Sequence, residues 1–129
     1  MSESLNPSTV VAPAGPYSQA MLTRGAGQWL HVAGQIGMRA DGTLADGVQA
    51  QAEVAWQNLA AVLEAAGMDV SHVVKLNTYL VDREHLAAIN QVRGRFLGGA
   101  RPASTLVVVR ELARAEWLFE IEAVAFKAD

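Results

Sequence analysis

The stretch W-L-F-E-I-E-A-V-A-F, Trp117 to Phe126, is apolar throughout except for two acids, Glu120 and Glu122. Its aromatic and β-branched residues predict a strand. Side chains alternate faces along a strand, so both acids share one face with Leu118, Val124 and Phe126. Trp117, Phe119, Ile121, Ala123 and Ala125 make the other face, which is entirely apolar. A carboxylate on a mostly buried strand is costly unless it is paired, hydrogen-bonded or protonated. The pattern therefore places this strand at the rim of a cavity or of a subunit interface. What Glu120 does there is the central question.

Working outward, Arg101-Pro102-Ala103-Ser104 introduces a strand over Thr105–Val109, expected to pair with the Glu120 strand. Before it, Leu86, Ile89, Arg93, Phe96 and Leu97 follow a helical spacing that Asp82 can cap and Gly98-Gly99 closes. Val73–Val81 is rich in β-branched residues and reads as a strand. Val48, Ala52, Ala55, Leu59, Val62, Leu63 and Ala66 recur at spacings of three and four, giving an amphipathic helix over Gly47–Ala66 ended by Gly67. Tyr17–Thr23 and Trp29–Ala33 read as two strands joined by a Gly-containing loop. The order is β-β-α-β-α-β-β, an α+β fold with one sheet packed on two helices. The other sheet face also reads as apolar and needs a cover, for which neighbouring subunits are the natural candidates. Residues 1–14 are expected to be a flexible N-terminal segment and 15–129 one domain.

The 129 residues are 51% hydrophobic and only 18% charged, which favours association with other copies. A net charge of −3 and the absence of a basic run argue against nucleic acid as a partner. There are no cysteines, hence no disulfides or thiol chemistry. No apolar run is long enough to span a bilayer and no signal-peptide pattern opens the chain, so no membrane partner and a cytoplasmic location are expected.

His31, His72 and His85 have no metal-ligand spacing, so no metal is expected. Gly34-Gln35-Ile36-Gly37 has two readings: a bulge after a strand, or a backbone N–H left open to a ligand. Tyr17, in Gly15-Pro16-Tyr17-Ser18-Gln19-Ala20, reads as rim packing or as a ligand contact. Asn90, mid-helix, either faces solvent or answers a polar need inside. Arg101 reads most simply as a solvated loop charge.

Together these segments resemble the RidA/YjgF family of reactive-intermediate deaminases. The matching stretches are G-P-Y-S-Q-A at 15–20, V-A-G-Q-I at 32–36, Q-N-L-A-A-V-L-E-A-A-G at 57–67 and V-V-K-L-N-T-Y-L-V-D at 73–82. I-N at 89–90, P-A-S-T at 102–105 and E-I-E-A-V-A at 120–125 complete the set. The resemblance implies a chorismate-mutase-like fold assembled as a homotrimer, with small-molecule clefts between subunits. It also implies cofactor-free hydrolysis of enamines or imines, such as 2-aminoacrylate, to a carbonyl product and ammonia. By position, Glu120 matches the family's cleft acid, Tyr17 its cleft tyrosine, Gly34 a backbone contact and Asn90 a helix residue lining the cleft.

Ser104 stands where the deaminating members carry an arginine that grips the substrate carboxylate. Hydrogen bonds to charged groups contribute roughly 1.5–3 kcal/mol, so this exchange should weaken a 2-imino acid by about ten- to a few hundredfold. Arg101 could replace the missing group only by crossing about 10 Å of extended chain. Two functions follow. One is a deaminase whose substrate differs from 2-aminoacrylate, and the other is a non-catalytic metabolite-binding or chaperone-like trimer. A third, ribonuclease activity, is disfavoured by the acidic charge balance.

Overall fold

The computed structural model describes all of residues 1–129. Its elements are β1 (Ser2–Leu5), β2 (Ala20–Thr23), β3 (Gly27–Ile36), α1 (Val48–Ala65), β4 (Val73–Leu80), α2 (Leu86–Leu97), β5 (Ala103–Val108) and β6 (Phe119–Ala128). Four strands form the main sheet in the order β3-β6-β4-β5. β6 lies in its interior, antiparallel to β3 on one side and β4 on the other.

The sequence predicts the Thr105 strand beside the Glu120 strand, and the structure overturns this. β5 pairs with β4 and runs parallel to it. Both edges of β6 are already taken, and a parallel neighbour needs a long crossover, which α2 provides. α2 begins as predicted near Asp82, whose carboxylate accepts the Glu84 N–H at 2.9 Å in a short 3-10 turn leading into the helix. α1 ends in front of Gly67, whose φ of 69° is left-handed backbone that suits glycine.

Phe119, Ile121, Ala123 and Ala125 are buried beneath Leu59 and Leu63 of α1 and Ile89 and Val92 of α2. Two α1 amides fasten the helix to the sheet. Asn58 Nδ2 donates to the carbonyls of Ile36 (3.2 Å) and Met38 (2.9 Å). The buried Gln51 accepts the Leu118 N–H at 2.8 Å and donates to the Glu116 carbonyl at 3.1 Å. These bonds satisfy backbone groups where the strands leave the sheet, fixing the exit of β3 and the start of β6.

The opposite sheet face was expected to be apolar and is mixed. Register places Lys75, Asn77 and Tyr79 of β4 beside Val124, Glu122 and Glu120 of β6, with Trp29 and His31 of β3 beyond. The alternation of β4, with its apolar Leu76 and Leu80 inward, is what turns these polar groups outward. Residues 1–14, read from sequence as a flexible lead, include β1, which pairs with β2 from Ser2↔Thr23 to Leu5↔Ala20.

Ile121 is fully buried and its strand is bonded on both edges. Ile121→Ala is expected to cost about 2–5 kcal/mol, read as a lowered midpoint in equilibrium urea denaturation.

Candidate active site

Because Phe119 and Ile121 face the helices, Glu120 must face the other way. There it lies between Ile36 of β3 and Tyr79 of β4. β3 shifts register between Val32 and Gln35, and Gly34 sits in that irregularity. A Cβ on Gly34 would overlap the Glu120 carboxylate, so the glycine is the space in which Glu120 rests. Both sequence readings of Gly34 thus meet: it is at a bulge, and it opens room beside an acid.

The two acids of β6 differ in their surroundings. Glu122 accepts hydrogen bonds from the Tyr79 hydroxyl and from Asn77 Nδ2, the latter at 3.4 Å. That bond to Glu122 raises the Tyr79 pKa, since the phenol would lose it on ionising. Glu120 gains no comparable donor. Burial, followed by repulsion from Glu122, raises its pKa above the usual carboxylate value of 4.5. A carboxyl whose proton is held more tightly than usual is suited to acid–base work. Beside the pair, His31, Lys75, Asn77 and Glu122 line a hollow of about 170 Å³.

The other predicted site residues lie elsewhere. Ser104 pairs with Leu76, so its side chain is on the helix side of the sheet, opposite to Glu120. Tyr17 is half-buried near the same edge, because Ser18 bridges to Ala103 and its N–H donates to the Pro102 carbonyl at 3.0 Å. Asn90 lies exposed on α2, where its Oδ1 accepts from Arg93 Nη2 at 2.8 Å. One chain therefore brings Glu120 and Gly34 together on one face, and Tyr17, Asn90 and Ser104 near each other on the other.

Arg101 joins neither group. Its Nη1 donates to the carbonyls of Gly98 (2.9 Å) and Ala100 (2.7 Å), so its guanidinium closes the end of α2. Two residues of the second group escaped the sequence reading of the site. Ser18 anchors Tyr17, and its only signal was its place in G-P-Y-S-Q-A. Arg93 was read as one more position of the helix face, although it follows Asn90 by three residues and so neighbours it. There is no group of three or more His, Cys, Asp or Glu side chains that could hold a metal ion. No helix is long and apolar enough to cross a membrane.

A family model described as Endoribonuclease L-PSP matches residues 8–127. The chain is 38% identical over 122 residues to the 2-iminobutanoate/2-iminopropanoate deaminase of Capra hircus, covering 92% of this chain and 86% of that protein. It belongs to the RidA/YjgF family.

Among solved structures, the Rid family protein YyfB of Yersinia pestis superposes with a TM-score of 0.85 at 36% identity, covering 96% of this chain and 97% of that one. TdcF of E. coli, solved with bound serine, does so with a TM-score of 0.74 at 29% identity over 90% and 91% of the two chains. The α+β architecture of a mixed sheet backed by two helices is thus the RidA, chorismate-mutase-like fold.

The raised Glu120 pKa has a consequence for stability. The folded state holds the Glu120 proton more tightly than the unfolded chain, so this group destabilises the fold as pH rises through and above 4.5. Glu120→Gln is therefore expected to be more stable than the wild type at about pH 7, with the gain shrinking toward about pH 4. Urea denaturation at both pH values measures it.

Proposed function

We propose that this RidA-family chain is a hydrolytic deaminase of a small reactive enamine or imine, yielding a carbonyl product and ammonia without a cofactor. The observation that carries this reading is Glu120: a half-buried carboxyl of raised pKa, without a partner of its own, in a space kept open by Gly34. The likeness to a deaminase over most of the chain supports the reaction class.

In this reading Glu120 takes a proton from water as the water oxygen bonds to the imine carbon. That proton passes to the imine nitrogen to complete a carbinolamine; the hydroxyl proton then moves through Glu120 to the amine, and the C–N bond breaks as the C=O bond forms and ammonia leaves. An enamine reaches the same path after a proton is added at its carbon. Water supplies the oxygen and both hydrogens needed, so no oxidant or metal enters the balance.

Tyr17, Asn90 and Ser104 lie across the sheet from Glu120, so a complete cleft requires a second copy. We place it between subunits of a homotrimer, the open face of β3 and β6 from one copy meeting the β5 edge and α2 of the next. The mixed, partly apolar open face, with Trp29 53% exposed, favours such a cover. Ser104 offers one neutral hydrogen bond where the family resemblance implies a guanidinium. 2-Aminoacrylate is therefore not the preferred substrate in this reading.

Light scattering is expected to give three times the 13.7 kDa chain mass. Ammonia release should be measured on 2-imino acids generated in situ and on imines without a carboxylate. Glu120→Gln is expected to lower kcat by about a hundredfold or more, and Ser104→Arg to raise turnover of 2-aminoacrylate. Ligand binding with no ammonia from any substrate would replace this reading with that of a metabolite-binding trimer.

A further inference from the structure

Arg93 is the cation of this chain that lacks a counter-charge where one is most needed. Its side chain is half-buried on α2, and its Nε is sealed from solvent with no hydrogen-bond partner. Nη2 reaches only a neutral acceptor, Asn90 Oδ1, at 2.8 Å. The chain's Arg–carboxylate ion pairs are Arg24–Glu3 and Arg95–Glu53, and neither includes Arg93. A guanidinium stays charged at any ordinary pH, and a buried N–H without an acceptor is a standing penalty. What such a group lacks is an anionic acceptor, and its planar fork matches a carboxylate.

Its position says which carboxylate. A Cβ placed on Gly15 would lie 3.9 Å from Arg93 Nη2 and 3.8 Å from Tyr17 Cδ1. Gly15 therefore leaves the guanidinium and the tyrosine ring facing across a backbone with no side chain between them. Ser18, next to Tyr17, bridges to Ala103, one residue before Ser104. Arg93 thus belongs to the same patch as Tyr17, Asn90 and Ser104. Arg101, the nearer arginine by sequence, is held by the carbonyls at the end of α2.

We propose that Arg93 is the substrate-carboxylate-binding residue of this chain, supplying from α2 the guanidinium that Ser104 does not supply from β5. The substrate class is then a carboxylate-bearing enamine or imine other than 2-aminoacrylate, one whose acid group reaches α2 rather than β5. The cleft proposed above is assumed, but the carboxylate contact can be tested without turnover.

The probe is 2-oxobutanoate, a 2-keto acid of the product class, titrated by calorimetry into the full-length protein. Saturable binding is expected, weakened by about ten- to a hundredfold in Arg93→Met, the effect of losing hydrogen bonds to a charged group. Arg93→Lys should recover part of it, because charge returns without the fork. Arg39→Met, in an exposed loop, should bind as wild type, and thermal melts confirm that each variant is folded. In ammonia-release assays, Arg93→Met should raise KM for 2-imino acids more than it lowers kcat. It should lower kcat/KM for 2-imino acids by at least about tenfold more than for imines lacking a carboxylate.

Absence of 2-oxobutanoate binding to the wild type, or unchanged binding by Arg93→Met, overturns the assignment. So does an equal loss on substrates with and without a carboxylate. Arg93-dependent binding by a protein that releases no ammonia supports the contact while removing the deaminase reading. Ammonia release from imino acids that is indifferent to Arg93 removes the contact and leaves that reading standing.

Discussion

The alternation of β6 is the constraint on which the other features rest. Its inward residues, Phe119, Ile121, Ala123 and Ala125, join Val32, Leu76 and Leu80 of the neighbouring strands in the core shared with α1 and α2. Once they are buried, the pleat leaves Glu120 and Glu122 no choice of face, and a one-residue slip would drive both acids into the core. Pairing on both edges, with β3 and β4, locks that register. The position of the acid is thus a by-product of packing a greasy strand. What distinguishes Glu120 from Glu122 is its neighbours, a glycine on one side against hydrogen-bond donors on the other.

The sheet also separates opposite charges. On one face is a carboxyl whose pKa is raised by burial and by a like charge, and on the other a guanidinium with a sealed, unpartnered Nε. These two groups could neutralise each other if they met, but the sheet of a single chain lies between them. Neither is therefore compensated within one chain. A fold that kept stability alone in view would pair them or remove them, and such uncompensated groups are typical of sites that bind or react.

Much of this was legible in the sequence because it follows from periodicity. The spacing from Val48 to Ala66, the alternation of residues 117–126 and the glycine after α1 each fix local structure by elementary geometry. The partner of β5 was not legible, because strand pairing depends on which edges are free once β6 has been placed. The mixed open face escaped because β4 reads as a β-branched run until its alternate residues Lys75, Asn77 and Tyr79 are set beside Glu122 and Glu120. Of the candidate site, Glu120, Gly34, Tyr17 and Asn90 could be named from matching stretches. Their division between two faces could not, since it rests on register across three strands. Arg93 carries no motif, and what marks it is a buried Nε without a partner, which sequence cannot display.

The central place of β6 also governs when the sheet can form. β3 and β4 do not touch as neighbours, and each needs β6 along one edge, yet β6 follows both by tens of residues. During synthesis, α1, β4, α2 and β5 can gather as a local unit through the parallel crossover. β3 meanwhile waits with unpaired edges until residues 119–128 have left the ribosome. Long-range closure of this kind slows folding and leaves strand edges open to wrong partners. The strand that carries the acid is therefore also the one whose arrival joins β3 to β4 and completes the sheet.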